Sequence, residues 1–146
     1  MASGPKLSEL IALASTIDPA SYTTVQYSDG IDLKKFHRAA FFVLLGNIAA
    51  TTTVNAKLQG SADNSTFTDI SGKSITQLGG TDDNKQVILE VSDEELLVVD
   101  STYRYVRCAV TPATDLALVG VAGFGFKQRY VKGADNDLSS VAEIVA

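Results

Sequence analysis

Apolar and polar residues alternate along much of this chain with the period of two that a half-buried β-strand imposes. The clearest case is Thr53-Val54-Asn55-Ala56-Lys57-Leu58-Gln59. Val54, Ala56 and Leu58 fall on one face, and Thr53, Asn55, Lys57 and Gln59 on the other. Tyr103 to Thr111 repeats the pattern, with Val106, Cys108 and Val110 inward, and Pro112 is expected to stop it. Tyr22–Ser28, Ile75–Leu78, Gln86–Val91 and Leu116–Phe126 read as further strands. They are separated by turn-forming Gly, Asn and Asp at Asp29-Gly30, Asp63-Asn64-Ser65 and 79–84. Ser92-Asp93-Glu94-Glu95 reads as a solvated corner or a single helical turn.

One segment breaks the alternation. Ala39-Ala40-Phe41-Phe42-Val43-Leu44-Leu45 is a continuous apolar run closed by Gly46-Asn47. A strand buried on both faces has this composition, and so has a short core helix; Phe, Val and the flanking Gly favour the strand. Seven or eight strands with helix confined to the ends predict an all-β fold, an antiparallel β-sandwich of jelly-roll type.

The two ends differ from this middle. Leu7, Leu10 and Ile11 repeat at helical spacing, which fits a short helix or an extended arm, and Asp18-Pro19 is expected to close the segment. Leu138, Val141, Ile144 and Val145 are spaced similarly behind Asp135-Asn136-Asp137, which could cap a short helix. The expected organisation is an N-terminal arm over 1–21, a sandwich domain over 22–132, and a C-terminal arm or short helix over 133–146. Leu7, Leu10, Ile11, Leu13, Leu138, Val141, Ile144 and Val145 are apolar side chains that a single small sandwich would struggle to cover. They are the candidate partner-binding residues.

Composition narrows the picture. The 146 residues fit one domain, and 45% hydrophobic with 20% charged residues is ordinary for a globular chain. A net charge of −5, with Lys34-Lys35 and Arg104/Arg107 as the densest basic spots, argues against nucleic acid as a partner. The single Cys108 forms no internal disulfide, and no run reaches the roughly 20 apolar residues that span a bilayer. A cytoplasmic site of synthesis, with no membrane partner, is the simplest expectation.

Candidate chemistry is sparse. With one His, one Cys and no Trp, neither a triad nor a zinc site can be assembled from His37 and Cys108. The acidic groups Asp82-Asp83 and Asp93-Glu94-Glu95 read as solvated loops. Asp63–Asp69 lacks the turn glycine and closing Glu of a calcium loop. Gly120, Gly123 and Gly125 lie within a strand pattern, where glycine marks bulges or close packing and does not cradle phosphate. No catalytic, metal or cofactor site is expected.

Several phrases together carry a resemblance. They are Tyr27-Ser28-Asp29-Gly30-Ile31-Asp32-Leu33, Val54-Asn55-Ala56-Lys57-Leu58-Gln59, and Asp69-Ile70-Ser71-Gly72-Lys73-Ser74-Ile75-Thr76-Gln77-Leu78. Further on come Tyr103-Arg104-Tyr105-Val106-Arg107 and the terminal Asp137-Leu138-Ser139-Ser140-Val141-Ala142-Glu143-Ile144-Val145. From about Tyr22 onwards the chain resembles small proteins encoded among the head genes of tailed bacteriophages and prophages. The resemblance implies a capsid decoration, or cement, protein on the exterior of the virion. Its partners would be the major capsid protein and itself, as a dimer or trimer, and no catalytic residue carries over. The readings weighed beside it are a tail or head-fibre component and a carbohydrate-binding module, which would need a row of exposed aromatics. An enzyme is disfavoured by the missing nucleophile motif.

Overall fold

A computed structural model describes residues 4–128. In chain order the elements are α1 (Leu7–Leu10), β1 (Ile11–Tyr22), β2 (Gln26–Tyr27), β3 (Ile31–Asp32), β4 (Phe36–Ile48), β5 (Thr53–Ser61), β6 (Thr68–Ser74), β7 (Gln86–Ser92), α2 (Asp93–Val99), β8 (Tyr105–Ala113) and β9 (Ala117–Gln128). The strands form two antiparallel sheets packed face to face. One has the order β1-β9-β4-β7; the other has β2-β8-β5-β6, with β3 also paired to β8. β2 and β3 lie in line along β8, so they count as one interrupted strand. Renumbered that way, the orders are 1-8-3-6 and 2-7-4-5, the two interleaved Greek keys of a jelly roll.

Burial follows the alternation. Val54, Ala56 and Leu58 of β5 and Val106, Cys108 and Val110 of β8 are all buried, facing Phe41, Val43 and Leu45 of β4 and Val119 and Val121 of β9. Val54 and Leu78 also form an isolated bridge, which is all that remains of the strand expected over Ile75–Leu78. Pro112 does not end β8. It pairs with Val54, and β2 on the other side reaches only as far as Val110, so no strand runs beside Pro112 there to need its missing N–H.

Two glycines of β9 make room for the largest core rings. A Cβ on Gly123 would stand 2.8 Å from the Phe41 ring and from Ser15 Cβ, and one on Gly125 would overlap the Phe36 ring. Close packing, one of the expected roles of these glycines, is what they provide.

The N-terminal boundary differs from expectation. Ile11–Tyr22 is not an arm outside the sandwich but its edge strand β1, paired with β9 from Ile11↔Phe126 to Tyr22↔Ala117. Among the described residues only α1 precedes it, a single turn in which the Lys6 amide donates to Glu9 Oε2 at 2.9 Å. Asp18-Pro19 sits in a register shift between Ile17 and Ala20 and does not terminate the strand. The helical spacing of Leu7, Leu10 and Ile11 therefore continues for one turn only, because pairing with β9 takes the chain over from Ile11. α2 is longer than the expected corner. Ser92 Oγ accepts from the Glu95 amide and Glu95 Oε2 from the Ser92 amide, a reciprocal cap, and three acids in the first turn oppose the helix dipole. Leu96 anchors this helix in the core.

Candidate binding face

The two sheets treat their outer faces differently. Directly opposed residues in neighbouring strands share a face, so the pairing registers spell out both surfaces. On the β2-β8-β5-β6 sheet the outward residues include Lys57, Gln59, Asp69, Arg107 and Thr111. Lys57 Nζ and Gln59 Nε2 each lie 2.7 Å from the Asp69 carboxylate, and Arg107 Nε donates to Gln59 Oε1 at 2.9 Å. The Arg107 guanidinium carbon lies 3.9 Å from the ring centres of both Tyr27 and Phe67, so these two aromatics are engaged by a cation. This is the polar, hydrogen-bonded exterior that an antiparallel sheet shows to water.

The outer face of the β1-β9-β4-β7 sheet is apolar. One row across it reads Thr16, Ala122, Phe42, Ile88; the next reads Leu13, Phe124, Ala40, Glu90; a third reads Ile11, Phe126, Arg38, Ser92. Beyond Phe42 come Leu44 and Leu118, with Gly46 leaving space for the Leu118 side chain. Ile88 is 61% exposed, Leu44 50% and Leu118 42%. Phe42 and Phe124 meet edge to face with ring centres 5.7 Å apart. Two depressions mark the surface. One of about 560 Å³ is lined by Leu7, Ile11, Phe42, Ile88, Phe124 and Phe126, among others. The other, about 680 Å³, lies towards Pro19, Leu44, Leu118 and Gly120.

The run Ala39–Leu45 is thus a strand, as its composition favours, but only one of its faces is covered. Phe41, Val43 and Leu45 are buried between the sheets, whereas Phe42 and Leu44 stand on the open side. That run was the signal in the sequence for this face. A strand apolar on both sides needs two covers, and this chain's described residues supply one.

The expected partner-binding residues divide accordingly. Leu7 (67% exposed) and Ile11 lie in the first depression beside Phe42 and Ile88. Leu10 is exposed on α1, and Leu13 is partly buried in β1 opposite Phe124. Leu138, Val141, Ile144 and Val145 lie outside the described residues, as does the Asp135–Asp137 cap. Phe42, Leu44, Ile88, Leu118 and Phe124 also belong to the face; the sequence places them in expected strands without singling them out as partner-binding residues.

The groups with chemical potential hold turns and caps. Asp82 accepts from the Gly79 amide and from Lys85 Nζ, and these contacts keep its carboxyl below the usual range. Asp83 accepts from the Ile48 amide at 2.7 Å. Asp63 Oδ1 takes the Ser65 and Thr66 amides and closes the turn where Asn64 adopts a positive φ. Glu95 pairs with Lys73 at 2.6 Å. His37 Nδ1 lies 3.1 Å from Asp93 Oδ2 on α2, a pairing invisible in sequence because 56 positions separate the two. Burial pushes the Cys108 thiol up to about 12, so it remains protonated at neutral pH. Among the described residues no three His, Cys, Asp or Glu side chains gather as metal ligands would. No known family model matches this chain, and the search of curated proteins finds none that matches it either.

Proposed function

We propose that this chain is a capsid decoration protein of a bacteriophage. It would bind the outer surface of the head shell, clamp neighbouring major capsid protein subunits, and act without catalysis or cofactor. The observation that carries this reading is the apolar, open outer face of the β1-β9-β4-β7 sheet, with the exposed leucines of α1 at its border, on a sandwich whose other face is polar. Contiguous apolar surface of this kind marks protein–protein contact. The resemblance to head-gene proteins supplies the partner. The jelly-roll order is compatible with the role but does not define it, since one fold hosts many functions.

The physical logic suits a lattice. The core between the sheets is complete, so the chain folds before it meets the shell. Weak apolar contacts then multiply by avidity when many copies sit around one particle. The test uses purified chain added to expanded heads that lack it, read by co-sedimentation. Saturable binding is expected. Deleting residues 1–10 removes Leu7 and Leu10 but leaves β1 paired, so occupancy should fall while thermal unfolding stays cooperative. Heads that never retain the intact chain would refute the proposal.

A further inference from the structure

We infer that the outer face of the β1-β9-β4-β7 sheet is covered by the same face of a second copy, giving a twofold dimer of stacked sandwiches. This inference rests on the reading of that face as a protein contact, and it names the occupant.

Three features of the face point to a second copy. The first is charge. Across the three rows that link all four strands, the charged side chains are Arg38 on β4 and Glu90 on β7, one of each sign. They are diagonal neighbours, because Arg38 pairs with Ser92 and Ala40 with Glu90. A twofold axis lying in the interface and passing between them sets each arginine against the other copy's glutamate. An isologous contact has this reciprocity, residue i meeting j and j meeting i. The surface is therefore neutral towards itself although the chain as a whole carries −5.

The second feature is extent. Strands about 4.8 Å apart, rising about 3.4 Å per residue, make the face from Leu118 to Phe126 about 19 Å wide and about 27 Å long. Its footprint is about 500 Å² in projection, before side-chain relief is added, which is of the order of the roughly 800 Å² per partner of a stable interface. The third is shape. Sheet-on-sheet stacking interdigitates side chains of two like surfaces. Here two depressions of about 560 and 680 Å³ open on the face, the first walled by Phe42, Ile88 and Phe124 and the second by Leu44 and Leu118, and side chains of a facing copy can enter them.

The test is the mass of the full-length chain in solution, measured by sedimentation equilibrium across a dilution series, with variants on the face. The wild type should be a dimer that dissociates on dilution. Ile88→Lys places two desolvated ammonium groups in a twofold interface and should weaken dimerisation by about 100-fold or more. Arg38→Glu and Glu90→Arg should each weaken it by about tenfold, and the double swap Arg38→Glu/Glu90→Arg should restore it. The double variant carries the specificity, because Arg38 also acts electrostatically on Glu95 of its own chain. A wild type that is monomeric at every concentration overturns the inference. So does a dimer indifferent to Ile88→Lys, or one that the double swap fails to restore. A monomer that dimerises only after residues 129–146 are deleted assigns the face to the chain's own C-terminal segment and likewise overturns it. The two readings fail separately: a dimer that never binds heads leaves this inference standing, and a monomer that does bind them leaves only the decoration reading.

Discussion

Phe41 and Phe42 are adjacent on β4 yet face opposite environments, and a pair of substitutions measures the difference. Phe41 is fully buried, so Phe41→Ala opens a cavity between the sheets and should cost about 3–5 kcal/mol. For a chain of this size each kcal/mol moves Tm by roughly 2–4 °C, so the midpoint should fall by about 6–20 °C. Ile88, the neighbour of Phe42 across the sheet, is 61% exposed. Full burial of such a side chain is worth about 1.5–3 kcal/mol, and only about four-tenths of that is realised in the isolated chain. Ile88→Thr keeps the β-branched shape and should cost about 1 kcal/mol or less. Urea unfolding followed by circular dichroism reads both, at protein concentrations low enough to keep copies apart. If Ile88→Thr proves as damaging as Phe41→Ala under those conditions, the outer face is buried within the single chain and the argument for a partner fails.

Three further outcomes follow from the core and its polar fastenings. Gly125→Ala should destabilise by about 1–3 kcal/mol, because the new methyl meets the Phe36 ring, whereas Gly79→Ala, with open space around it, should be near neutral; thermal melts compare them. Burial opposes ionisation of Asp32, but the Arg104 guanidinium, the Lys34 amide and nearby Lys35 outweigh it and hold the carboxyl below its usual 3.8. A depressed folded-state value gives stability that is present above the unfolded value and lost as pH falls through the folded one. Urea midpoints from pH 7 down to about pH 3 should therefore fall more for wild type than for Asp32→Asn. Cys108 is buried and its thiol is pushed up to about 12, so a thiol reagent at neutral pH should label it only as fast as the chain unfolds; rapid labelling of the native protein would contradict its place in the core.

The parts of the fold legible in the sequence are those where one side of a strand meets water. Val54-Ala56-Leu58 and Val106-Cys108-Val110 sort by alternation alone, and the structure buries all six. β4 was legible as a strand but not as half of an open surface, since an apolar run states that two covers exist without naming them. β1 was misread because Leu7, Leu10 and Ile11 satisfy a helical period. The pairing that decides the matter lies more than a hundred residues away in β9, where Ile11 meets Phe126. Asp18-Pro19 reinforced the error, since a proline that ends a helix can also sit in a bulge on an edge strand. Of the candidate site, Leu7 and Ile11 were found by their position at an uncovered end. Ile88 and Leu118 were not, because outward and inward positions look alike in a strand apolar on both faces.

The claim on which the account depends is that the outer face of the β1-β9-β4-β7 sheet is used against protein. Electron cryomicroscopy of decorated heads tests it most directly. The account predicts density for this chain on the shell, with Phe42, Leu44, Ile88 and Phe124 packed against a second copy. A chain seated on the shell with that face turned to solvent would contradict it.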